Sequence, residues 1–163
     1  MLYIFLLLAF VLKFVILYNF ETVIISDILI FIIVYSFLKT HKNTKLKTVL
    51  FLCLIKIPVA YYFLSHNNSL TILHGTLELI LCYFLFSAFS EITHSTKIAT
   101  LCKITLTICF IQTAAATIMV NIWFIPPQIT SRMTWIFVYI GVVISVMSAI
   151  IVRDVFQLSK KTF

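Results

Sequence analysis

The chain has 163 residues, 63% of them hydrophobic and 10% charged, with two glycines and a formal net charge of +7. Soluble domains are apolar at roughly half of their positions, and a soluble core cannot absorb the excess seen here. Lipid can, because a helix satisfies its own backbone hydrogen bonds there and about 20 apolar residues cross a hydrocarbon layer of about 30 Å.

Leu, Ile and Phe dominate without the polar and apolar alternation of a membrane barrel strand, so the expected fold is all-α, a polytopic transmembrane helical bundle. The basic balance does not point to nucleic acid, which needs a solvated basic face, because most lysines flank apolar runs. Cys53, Cys82, Cys102 and Cys109 fall inside apolar runs without a Cys-x-x-Cys pair, which suits small apolar fillers better than disulfides or a zinc site.

Six apolar stretches follow in order: Leu2 to Tyr18, Thr22 to Leu38, Thr48 to Leu64, Leu70 to Ser90, Ile98 to Phe124 and Thr134 to Val152. The first lacks a basic start and a small-residue cleavage site and carries Lys13, so it reads as a retained span rather than a signal peptide. If it lies flat or re-enters, five spans result. The third is short and includes Lys56 and Pro58. With no long linker, residues 1–163 form one integral membrane domain of consecutive hairpins.

Between the second and third spans, Lys39, Lys42, Lys45 and Lys47 crowd one short loop, which the positive-inside rule makes cytoplasmic. Alternation then places Lys97, Arg153, Lys160 and Lys161 on the same side, with both termini cytoplasmic and only Arg132 in an outward loop. Trp123 and Trp135 flank Pro126 and Pro127 as an interfacial pair around the last outer turn.

A lone charge at the bilayer centre costs at least about 2.5 to 3.5 kcal/mol on insertion scales, so buried charges should meet inside the bundle. Lys13 and Asp27 are equidistant from Phe20 at the first turn, Lys56 and Glu78 from Asn67, and Lys103 and Glu91 from Lys97. Each pair is therefore expected at matching depth, as ion pairs that fix which helix packs where. His74 lies one turn from Glu78, and together with Lys56 these residues outline an alternative, a proton or ion pathway. No cofactor is expected: His41, His66 and His94 fall in loops or at span ends, which does not suit haem. Glu91 and His94 are the nearest approach to an acid–base pair, and a solvated turn explains them without catalysis. On the last span Gly141, Ser145 and Ala149 form a small-xxx-small stripe, matched by Thr113 and Thr117 beside Ala114 to Ala116. Packing of the last hairpin along these stripes competes with homo-oligomerisation through them.

The order of features resembles that of the intracellular septation protein A family of bacterial inner-membrane proteins. The residues that carry the resemblance are Lys13, the Lys39 to Lys47 loop, His66 and Asn67 before Thr76, then Ala116 to Ile118 with Trp123 and Pro126, and Ser148 with Ala149. Leu73 and His74 stand where the family has an aromatic residue and a lysine, and the loop after the fourth span is shorter. The resemblance implies a non-enzymatic role in cell-envelope maintenance or cell division through contacts with other membrane proteins, with His66, Asn67 and Thr76 as the positions carried over. Two other roles fit the plain composition: a small transporter or proton-coupled channel component, and an immunity protein against a membrane-acting toxin.

Overall fold

The computed structural model of the chain describes residues 20–66, 71–121 and 127–159, together with Ile4, Leu8 and Ala9. Side chains at 20–23, 60, 62–66, 71, 72, 74, 116, 117, 119–121, 127–134 and 159 lie outside the description. The described residues form five helices and no strand: α1 (Phe20–Thr40), α2 (Thr44–His66), α3 (Thr71–Thr93), α4 (Thr96–Asn121) and α5 (Pro127–Ser159). Ile4, Leu8 and Ala9 are also helical.

Local chemistry explains the helix ends. Asn43 caps α2, its Oδ1 accepting from the backbone N–H of Lys45 at 2.8 Å and of Leu46 at 3.4 Å, so two donors otherwise left open in the first turn are satisfied. α3 stops at His94, which takes the left-handed conformation (φ 48°) that ends many helices and that glycine adopts more readily. α5 opens with Pro127 at its first position, where a missing N–H costs nothing. Pro58 lies inside α2, and the helix runs through it.

Consecutive helices pack against one another along the chain, and α3 also touches α5, which makes α3 the central rod. Near the α1–α2 connection three helices converge on Phe37. Its ring lies edge-on to Phe156 of α5 at 4.7 Å, tilted against Phe89 of α3 at 6.0 Å and over His41 at 5.8 Å. The apolar core around it includes Ile30, Ile33, Leu46, Leu81, Leu85, Phe86, Ile98 and Ile151. All four cysteines are buried, and none is in a disulfide.

Polarity is distributed inside-out relative to a water-soluble protein. The buried set includes Ser26, Asp27, Lys56, Glu78, Thr105, Gln112, Ser145 and Ser148, while Ile32, Phe51, Phe110, Ile111, Trp135 and Tyr139 are more than half exposed. Soluble monomers rarely expose so many large apolar side chains while burying charged ones. Three segments, Gly75–Thr93, Thr96–Ala115 and Trp135–Leu158, are long and apolar enough to cross a membrane. The helices α1, α2 and α5 overrun the expected spans at both ends: α5, with 33 residues, is about 50 Å long and exceeds the hydrocarbon thickness.

Candidate functional site

The polar interior is built around Lys56. Its side chain is fully buried on α2, and its Nζ donates to both Asp27 carboxylate oxygens on α1, each at 3.0 Å. The same Nζ donates to Glu78 Oε2 on α3. Asp27 is fully buried and Glu78 is 8% exposed, so one ammonium joins two carboxylates from the helices on either side of it. Around this cluster, the Cys82 thiol one turn along α3 points to Glu78 Oε1 at 3.5 Å. Ser26, next to Asp27, donates to the Ala9 carbonyl at 2.9 Å and so ties the amino-terminal helical segment to α1 beside the cluster.

The positions of these residues along their helices explain why they meet. Counted from the helix ends nearest the lysine-rich loop, Asp27, Lys56 and Glu78 lie roughly 18 to 23 Å along the axis, near the middle of a bilayer-spanning rod. Gln112 of α4 falls at a similar level. It is 2% exposed, and its Nε2 donates to the Phe137 carbonyl of α5 at 3.3 Å, while its Oε1 meets no donor among the described residues. Buried polar side chains of α1, α2, α3 and α4 thus fall at roughly one level along the bundle. Sequence reasoning passed over Gln112; a lone amide in the middle of an apolar span was the available signal.

One of the expected pairings differs in the structure and one falls partly outside it. Lys56 binds Asp27, whose expected partner Lys13 lies outside the described residues. Asp27 and Lys56 are themselves equidistant from the α1–α2 break, so the same depth argument applied to that turn brings them together. Glu91, expected to face Lys103, is bound instead by Lys45 Nζ at 2.5 Å and Asn43 Nδ2 at 3.2 Å, because Lys103 occupies the exposed face of α4. Lys56 and Glu78, expected side by side, are in direct contact.

The Lys45 ammonium also donates to Ser87 at 2.5 Å, so the start of α2 is fastened to the last turns of α3 at two points. At the same end Asp154 of α5 accepts from the adjacent Arg153 at 2.9 Å and lies 4.0 Å from Lys97 of α4. Gly141 and Ser145 are buried within the bundle, with the Ser145 hydroxyl returned to the Gly141 carbonyl at 2.8 Å, and Ala149 is half-buried. Thr76 is exposed on α3. The side chains of His66 and His74 and the whole of Asn67 lie outside the described residues.

Among the described residues no three His, Cys, Asp or Glu side chains come together to hold a metal ion. Comparison of the chain with models of known families, with curated proteins and with solved structures finds no match.

Proposed function

We propose that the protein is a small polytopic membrane protein that works through contacts with other membrane proteins, in bacterial cell-envelope maintenance or cell division, and without catalysis. In this reading six spans cross the inner membrane as hairpins, with the Lys39 to Lys47 loop and both termini in the cytoplasm. The observation that carries it is the economy outside the apolar rods. The α1–α2 and α3–α4 connections are only three and two residues long, so a partner meets the lipid-facing helix surfaces or the basic end. The six basic side chains Lys39, Lys42, Lys45, Lys47, Lys97 and Arg153 gather there against Glu91 and Asp154, which fits the positive-inside bias. Affinity purification from native membranes in mild detergent should recover a specific membrane partner in fixed proportion. Repeated isolation of the chain alone under those conditions rejects the reading.

A second reading, a proton-coupled transporter component, is favoured by the buried Asp27, Lys56 and Glu78 cluster, since ionisable groups inside a membrane are functional candidates by default. Under it, Glu78→Gln abolishes flux in proteoliposomes at unchanged expression. Equal flux from wild type and variant removes it.

A further inference from the structure

One cation along the apolar rods has no carboxylate. Among the described residues Asp27 and Glu78 hold Lys56, Glu91 holds Lys45, and Asp154 is met by Arg153 and approached by Lys97. Lys103 of α4 is exposed and makes no ion pair with any of them. The bond from Gln112 to the Phe137 carbonyl fixes the level of α4 against α5. Lys103, nine residues nearer the basic end than Gln112, therefore stands level with Val146, nine residues beyond Phe137, which is 54% exposed in an apolar stretch. It lies seven residues, about 10 Å, inside the start of α4 at Thr96, within a segment long and apolar enough to cross a membrane. A charge left in hydrocarbon at that depth is costly.

The direction of the helix offers a way out. Each Cα–Cβ bond of a helix tilts toward its N-terminus, which for α4 is the basic end, so the lysine leans over the preceding turn, toward the headgroups and away from the bilayer centre. At roughly 100° per residue, Lys97, Lys103, Ile104, Phe110 and Ile111 share the exposed side of α4, opposite the buried Cys102, Thr105 and Cys109. The exposed Thr100 and Thr107 hydroxyls on that side donate to their own helix, to the Thr96 carbonyl at 2.9 Å and the Lys103 carbonyl at 3.0 Å. The cationic donors left to meet a ligand are those of Lys103 and of Lys97, whose side chain is 75% exposed and no nearer than 4.0 Å to Asp154.

We propose that the outer face of α4 at the basic end binds an anionic glycerophospholipid, with Lys97 and Lys103 holding the headgroup phosphate and Ile104, Phe110 and Ile111 bedding an acyl chain. A carboxylate on another protein's helix would have to be buried at the same depth to meet Lys103, whereas a lipid phosphate already stands at the level toward which the lysine leans. The site depends on the spans and not on which face of the membrane the basic end occupies. It goes beyond both readings above, neither of which assigns a lipid.

Native mass spectrometry of the full chain in mild detergent, titrated with phosphatidylglycerol or phosphatidylcholine, tests it. The expected result is a first phosphatidylglycerol retained at concentrations where phosphatidylcholine is lost. Its apparent affinity should fall about fivefold in Lys103→Gln, return in Lys103→Arg, and stay unchanged in Lys42→Gln, which removes a charge from the same end but from the α1–α2 connection. Free glycerol 3-phosphate should not displace the lipid. Unchanged helical circular dichroism shows that each variant folds. Equal retention of the two lipids, equal affinity in Lys103→Gln, an equal loss in Lys42→Gln, or displacement by the free phosphate overturns the proposal. A carbodiimide cross-link from Lys103 to another membrane protein in native membranes, together with equal retention of the two lipids, assigns the face to a protein carboxylate instead.

Discussion

Lys56 holds its place through two carboxylates on two other helices, so its removal tests the cluster at the scale of one residue. Lys56→Met leaves the Asp27 and Glu78 carboxyls facing an apolar side chain, and the expected loss is about 3 to 5 kcal/mol, the usual cost of stripping one partner from a buried pair. Unfolding in mixed detergent measures it. Adding Glu78→Gln to Lys56→Met should restore part of the loss, since contacting residues do not contribute additively; a double variant as unstable as the sum of the singles contradicts the contact. His94 offers a change in the opposite direction. It is exposed and held at φ 48° just past α3, where a β-carbon is unfavourable and glycine is not. His94→Gly should raise stability by about 1 kcal/mol in the same assay, and a loss of stability there means that the imidazole makes contacts the geometry does not reveal.

Among elements, α2 depends most on its first turn. Asn43 caps it and reaches Glu91 across to α3, so Asn43→Ala should cost about 1 kcal/mol through the cap. The Lys45 and Glu91 contact is exposed on its carboxylate side and adds little by comparison, less still in high salt. If stability of Asn43→Ala falls mainly at low ionic strength, the ion pair and not the cap holds the turn. Both interactions show how far chain spacing alone can be read. Equal distance from a turn gives level, because antiparallel helices rise by the same increment per residue. It does not give facing. Lys103 is level with Glu91 but on the exposed side of α4, and Glu91 is held by Lys45 of α2 instead. The helical class and the five described rods were legible from apolar run lengths, whereas the Asn43 cap was hidden in a break that sequence presents only as polar and basic. Gln112 was legible as an oddity, but its Phe137 acceptor is a backbone carbonyl that no residue type announces.

On the scale of the whole molecule, the bundle has a basic end and an apolar girth. The Lys45 contact to Glu91 brings the α1–α2 and α3–α4 connections together, and the approach of Lys97 to Asp154 adds the far end of α5. Three separate parts of the chain therefore share one end of the bundle, whichever way that end points in the membrane. Positive charge orients loops this short toward the cytoplasm, so Lys42, Lys97 and Gln157, all exposed, should be reachable from that side together. The native thiols are buried and give little background to a thiol-reactive probe in the folded protein. Lys42→Cys, Lys97→Cys and Gln157→Cys, made one at a time, should each react with a membrane-impermeant maleimide in inverted inner-membrane vesicles and remain protected in intact spheroplasts. Uniform reaction from the outer face leaves the bundle intact but reverses its orientation, against the charge rule. A split, with one position reacting from the opposite face to the other two, is incompatible with the contacts that gather these ends, because no helix of this length brings a residue to Glu91 or Asp154 from across the bilayer.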